Sequence, residues 1–167
     1  MQVTISYEEG NEQDGYRFTL EIRKANGVIT RSRENWLPPN PGLIQSCQHC
    51  RKLSIELHQK QHRLRLEKLD DGEAKSPIPP PPDNELQRLL ERHALAIEQR
   101  NDLMNKWLNS PRFHNVKQAI LDYSTERDEI VVLIRTNRDL QPLPWSAWDL
   151  AQRRPELEFS RLPLENE

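Results

Sequence analysis

The chain has 167 residues, of which 35% are hydrophobic and 30% are charged, with thirteen prolines and a formal net charge of −2. This near-neutral balance gives no electrostatic reason to expect binding to nucleic acid or to an anionic membrane, and no apolar run approaches the ~20 residues that span a bilayer. Because the N-terminus does not resemble a signal peptide, we expect a cytoplasmic protein.

Residues 1–35 predict β-structure. Two runs, at 3–7 and 16–22, alternate apolar and polar residues, and a polar connector with glycines at its ends separates them. Such alternation is typical of strands with one buried face, so we expect a β-hairpin. Asn26-Gly27 is a tight-turn signal and allows a third strand. A lone hairpin is only marginally stable, so these strands must pack on helices or join another sheet.

Residues 36–125 predict a helical region that a proline-rich linker at 70–83 divides. Helices at about 41–68 and 83–108 each carry an apolar stripe, and we expect them to form an antiparallel hairpin. A third, short helix follows Ser110-Pro111. The stripes consist of Leu43, Cys47, Cys50, Leu57 and Leu64 on the first helix, and of Leu86, Leu90, His93, Ile97, Arg100, Met104 and Trp107 on the second.

Residues 126–167 predict a β-α-β element. The apolar run Ile130–Ile134 is typical of a strand buried on both faces. A short turn and a small helix with two tryptophans follow it, and a second strand begins near Leu157. The whole chain is therefore predicted to be α+β, with an N-terminal β-hairpin or small sheet, a central helical hairpin plus a third helix, and this C-terminal element.

This last segment resembles the opening of the cyanobacterial form of the CHAT domain, a caspase-like hydrolase domain that often accompanies tetratricopeptide repeats. The resemblance rests on a strand that ends at Thr136, on Leu143-Pro144-Trp145 and on Trp148-Asp149-Leu150. It extends towards the N-terminus through a proline-rich break at 37–41 and through the central helices. In that family the catalytic His and Cys lie well downstream, beyond Glu167. The resemblance therefore implies a chain that is not an enzyme and has no catalytic residues.

Cys47, Cys50, His58 and His62 are the alternative site, because Cys-x2-Cys and His-x3-His are spacings of zinc ligands. A zinc- or nucleic-acid-binding protein built on them is the competing hypothesis. However, no Gly or Pro occurs between 51 and 62, and one continuous helix cannot fold four side chains around one ion. We expect no metal and no cofactor, with the two cysteines as small buried hydrophobes.

Ile130, Val132, Ile134, Trp145 and Trp148 are the predicted partner-binding residues. They would supply a sheet edge or a docking surface for a protein partner or for self-association. For the two tryptophans, core packing against the strand is the favoured alternative, because large aromatic side chains are strong core-formers. The leading hypothesis is a non-catalytic interaction or regulatory module, as a stand-alone fragment or as one half of a split gene.

Overall fold

The computed structural model of the chain describes residues 1–70, 84–125 and 128–163. Most of the linker predicted at 70–83 lies outside the described residues, as do the start and the end of the predicted C-terminal element. No described helix has the length and apolarity that crossing a membrane requires. The elements are β1 (Gln2–Asn11), β2 (Gly15–Lys24), β3 (Gly27–Leu37), α1 (Pro41–Asp70), α2 (Asn84–Leu108), α3 (His114–Tyr123), β4 (Ile130–Thr136), a 3-10 helix (Trp145–Ala147), α4 (Leu150–Arg153) and β5 (Leu157–Pro163).

The N-terminal strands form where the alternating pattern predicts them. In the turn between β1 and β2, the side-chain oxygen of Asn11 accepts hydrogen bonds from the backbone N–H groups of Gln13 and Asp14, at 2.8 and 2.9 Å. Gly15 then adopts a φ of 92°, and Gly27, at the start of β3, a φ of 118°. Only glycine adopts such angles without strain. The predicted turn at Asn26-Gly27 and the third strand are therefore present.

The five strands form one mixed sheet in the order β3-β2-β1-β4-β5. β2 pairs antiparallel with both β1 and β3, whereas β1 pairs parallel with β4, and β4 pairs parallel with β5. The hairpin thus joins the C-terminal strands in a single sheet. This arrangement confirms the predicted α+β fold.

β4 lies inside the sheet and is buried on one face only. Ile130, Val132 and Ile134 have no exposed surface, while Val131 is 36% exposed and Leu133 is half-buried. The prediction of a strand buried on both faces is therefore wrong. The expectation that this strand supplies a free edge is also wrong, because β1 and β5 pair with its two sides.

The core of the sheet-containing unit lies between the buried sheet face and the helices. This unit comprises 1–44 and 101–167. The Phe18 ring of β2 packs edge-on against Phe113, which precedes α3, with ring centroids 5.8 Å apart. Near the end of α2, Trp107 packs against Tyr16 at 5.8 Å. Its Nε1 also donates a 2.6 Å hydrogen bond to the carbonyl of Pro38. These contacts fix the helical ends on the sheet.

The second compact unit, 45–100, is the predicted helical hairpin. Cys50 and Leu53 of α1 pack with Ala96 of α2, and Lys60 forms a 2.6 Å ion pair with Glu85. Partners later in α1 lie earlier in α2, so the helices run antiparallel. The predicted stripe on α2 is partly wrong, because Leu90 is 39% exposed.

Candidate functional site

The segment between β4 and β5 is held by local hydrogen bonds and by aromatic packing. The side chain of Asn137 accepts a hydrogen bond from the N–H of Leu140 at 3.2 Å, which shapes the turn after β4. The indole Nε1 of Trp145 donates to the carbonyl of Leu140 at 3.1 Å. Its ring lies 6.0 Å from the ring of Phe18. The proline-framed Leu143–Trp145 stretch therefore seats Trp145 in the core.

Trp148 is buried as well. It is 1% exposed, and its ring lies 5.9 Å from the ring of Phe113. Its Nε1 has no hydrogen-bond partner among the described residues. Because burying such a donor is costly, the packing around this ring must hold it in place.

All five predicted partner-binding side chains belong to this core. Each has an exposed fraction of 2% or less, and such a side chain makes no direct contact with a partner. The expected docking role of these five side chains therefore needs correction. They pack in the core beneath the C-terminal element, and other residues form the surface of that element. The five are Ile130, Val132, Ile134, Trp145 and Trp148.

A largely buried ion pair links the segment between β4 and β5 to α3. The Nζ of Lys117 lies 2.7 and 2.6 Å from the two carboxylate oxygens of Asp149, which directly follows Trp148. Only 5% of the Lys117 side chain and 22% of the Asp149 side chain are exposed. Burying a charge without a partner is costly, so each group stabilises the other where it lies.

Two asparagines near the end of α2 complete this polar cluster. The Asn109 side chain donates to Asp149 at 3.1 Å and accepts from Lys117 at 2.8 Å. The Asn105 side chain accepts from the backbone N–H of Asp149 at 2.9 Å. Burial disfavours the ionised form of Asp149, but the hydrogen bonds from Lys117 and Asn109 outweigh it, with help from the charges of Lys117 and Arg153. The pKa of Asp149 therefore lies below its ordinary value.

The sheet has a second face, called here the outer face, which carries the side chains opposite the buried ones. A shallow depression of about 760 Å³ lies on it. It is lined by polar and charged side chains of β1 and β2 and by Arg135 of β4. The lining residues are Gln2, Thr4, Ser6, Glu8, Glu9, Arg17, Thr19, Glu21, Arg23 and Arg135.

Most charged groups on the outer face are paired on the β1–β2 side. Arg17 forms a 2.9 Å ion pair with Glu9, and Arg23 is paired with Glu21. On the β4–β5 side the pattern differs. Arg135 has no side-chain hydrogen bond or ion pair with another described residue, and the same holds for Glu158 of β5.

Three apolar side chains and Ser160 occupy the rest of the outer face on β4 and β5. Val131 and Leu133 lie there because they alternate with the buried residues of β4. Leu162 of β5 lies beside Arg135 in the parallel register and is half-buried. The outer face therefore combines a polar half on β1 and β2 with a mixed apolar and charged half on β4 and β5.

The cysteine and histidine set lies on one continuous helix. His62 lies fifteen positions after Cys47 on α1, about 22 Å along the axis at 1.5 Å per residue, so one ion cannot contact all four. Cys50 is buried against Leu53, and burial raises the pKa of the Cys47 thiol, although Arg100 opposes this. Among the described residues, no three His, Cys, Asp or Glu side chains lie close enough to hold a metal.

The chain was compared with protein-family models, with curated proteins and with solved structures, and it matches none of them.

Sequence reasoning missed the polar cluster and Arg135, whose side chain has no partner in the part of the chain that the structure describes. Lys117 is a charged residue among the buried apolar residues of α3, and its position beside them is a weak signal that its side chain is buried. Its partner lies 32 residues away, and no local spacing points to it. The position of Arg135 on the outer face follows from simple alternation along β4, so that part was accessible to sequence reasoning.

Proposed function

We propose that the chain is a non-catalytic, cytoplasmic interaction or regulatory module, similar to the N-terminal part of a CHAT protein. It binds a protein partner or a second copy of itself through the outer face of β4 and β5 and through the edge of β5 that faces away from β4. One observation carries this proposal: the described helices cover the parallel strands β1, β4 and β5 on one face only.

All-parallel sheets in proteins are almost always covered on both faces, and their strands then read as continuous apolar runs. β1, β4 and β5 form the parallel part of this mixed sheet. β4 has such a run, and Val131 and Leu133 leave part of it at the surface. Burial of these side chains by another chain would release the water that they order. This supports binding at the outer face of β4.

β5 adds an unpaired backbone edge to the same region. It is the last strand of the described sheet and pairs with β4 alone. Edge strands present free N–H and C=O groups to which another strand can add. A partner can therefore engage the edge and the outer face together.

The chemistry of the cysteines supports a non-catalytic role. A cysteine nucleophile needs a lowered thiol pKa and an adjacent base. Here burial raises the pKa of Cys47, and Cys50 packs in the hydrophobic seam of the helical hairpin.

The test uses the full chain with two binding assays. Sedimentation velocity over a wide range of protein concentrations measures self-association, and co-purification with a CHAT-domain protein of the same genome measures partner binding. We expect at least one assay to be positive. A chain that stays monomeric throughout and ignores the CHAT-domain protein would contradict the proposal.

A matched pair of variants locates the surface. Leu133→Glu places a charge on the outer face, whereas Leu95→Glu makes the same change at a site on α2 that is 55% exposed. We expect the first variant to lose the association and the second to keep it, with thermal unfolding checked for both. Deletion of the C-terminal element is unsuitable, because it removes the buried Ile130 and Val132 from the core.

A further inference from the structure

We infer that the outer face of β4 and β5 binds a second copy of this chain in a two-fold symmetric sheet-on-sheet dimer, in which Arg135 of each copy pairs with Glu158 of the other. This inference rests on the proposed function and names the partner for its surface.

The unpaired charges supply the first step. Arg135 and Glu158 carry opposite charges and lie on the same outer face, yet neither side chain has a partner among the described residues. The parallel register places Glu158 beside Val131, four residues before Arg135 on β4. They are therefore about 13 Å apart along the strands and about 5 Å apart across them, too far to pair within one copy.

Two-fold symmetry supplies the second step. In a symmetric dimer the same patch serves both copies, so residue i contacts residue j, and j contacts i. An axis in the plane between two stacked sheets can place Arg135 over Glu158 of the second copy. The same axis then places Glu158 over Arg135, so one arrangement satisfies all four charges.

The geometry of this arrangement matches known sheet packing. Seen in projection onto the sheet, the axis must be the perpendicular bisector of the line that joins the two charged residues. That line is inclined by about 20° to the strands, given the spacings within and between strands. The strands of the two copies then cross at about 40°, close to the roughly 30° of aligned sheet packings.

The centre of the interface carries no charged side chain and combines apolar residues with one serine. The axis passes between Leu133 of β4 and Ser160 of β5, which are direct neighbours in the register. Val131, beside this centre, is the most exposed apolar side chain of β4. A centre without charged residues, with charges at the rim, is the usual arrangement in a protein interface.

The test is a charge exchange, measured by sedimentation equilibrium of the full chain. Arg135→Glu and Glu158→Arg each replace two attractive contacts by two repulsive ones. We expect each single variant to raise the dimer dissociation constant at least about tenfold. The double variant restores both pairs, and its dissociation constant should return to that of the wild type.

An equimolar mixture of the two single variants gives an independent readout. Each substituted side chain then faces its opposite charge in the other chain, so the heterodimer forms where neither variant dimerises alone. Circular dichroism confirms that each variant is folded. Arg17→Glu makes the same change on the polar half of the outer face and should leave dimerisation unchanged.

The outcomes separate this inference from the proposed function. Suppose that the wild-type chain dimerises but that neither single variant changes the dissociation constant. The inference is then overturned and the proposed function stands. The same holds if the single variants weaken the dimer and neither the double variant nor the mixture restores it. A monomeric wild type that binds a CHAT-domain protein also overturns the inference and leaves the proposed function standing. A monomeric wild type that binds neither overturns both.

Discussion

At the residue scale, one largely buried ion pair links the segment between β4 and β5 to α3. Lys117 of α3 and Asp149 lie 32 residues apart in the chain and meet at 2.6 Å. Replacing both members of a buried ion pair by apolar residues can leave the stability unchanged, whereas removing one member leaves the charge of the other uncompensated. The cluster therefore makes Lys117 and Asp149 sensitive to single substitution.

The first prediction concerns Lys117→Met, which keeps the length of the side chain and removes its charge. We expect a loss of about 2–4 kcal/mol in the free energy of unfolding, somewhat below the figure for a fully buried pair because Asp149 is partly exposed. Urea unfolding measures it. Lys106→Met is the matched control, since both side chains of the Lys106–Asp102 pair are about 70% exposed and such pairs contribute little. Equal losses in the two variants would contradict this account.

The second prediction concerns pH. Because the pKa of Asp149 in the folded chain lies below the unfolded value of about 3.9, its stabilising contribution is present above that value. It is lost as the pH falls through the folded-state pKa. We expect the difference in unfolding free energy between the wild type and Asp149→Asn to shrink below about pH 4. Asp128, whose pKa is lowered by hydrogen bonds from Thr125, affects both proteins equally. A difference that is constant with pH would rule out this role of the carboxylate.

The third prediction concerns the two cysteines. Cys50 is 4% exposed and packs in the hairpin seam. Replacing both cysteines by alanine should cost roughly 1–2 kcal/mol through packing alone. A chelator should leave the helical circular dichroism of the wild type unchanged. Unfolding on addition of a chelator would restore the zinc hypothesis, because metal binding and folding are coupled in such proteins.

At the element scale, local patterns predicted the strands and helices, and long-range pairing was beyond them. The alternation at 16–22 and the turn at Asn26-Gly27 depend only on near neighbours, and both features are present. The parallel pairing of β1 with β4 joins residues such as Val3 and Val132, far apart in sequence. The apolar run of β4 indicated burial on two faces, but side-chain hydrophobicity alone does not say whether the same chain supplies both covers.

The fourth prediction concerns the helical hairpin, where Leu53 is 2% exposed and packs beside Ala96. Leu53→Ala should lower the free energy of unfolding of the hairpin by about 2–3 kcal/mol, since it leaves a cavity in the seam. Leu95→Ala, the same change at an exposed site of α2, should have little effect. Hydrogen exchange of the α1 and α2 amides measures both. Similar losses of protection would contradict the observed seam.

At the scale of the whole molecule, one sheet contains both the N-terminal and the C-terminal strands, and its two faces differ. The inner face and the helices form the core that holds Trp145 and Trp148. The outer face of β4 and β5 combines the exposed Val131 and the half-buried Leu133 and Leu162 with two charges that have no partner among the described residues. The central claim is that this outer face is the surface through which the chain associates.

Methyl NMR of the full chain tests this claim residue by residue, as the protein is concentrated or as a CHAT-domain partner is added. The account predicts that the methyl signals of Val131, Leu133 and Leu162 shift or broaden together. The exposed methyl groups of Ile55 and Leu95 on the helical hairpin serve as internal controls and should not change. Changes confined to those hairpin methyl groups, with Val131 and Leu133 unaffected, would contradict the account.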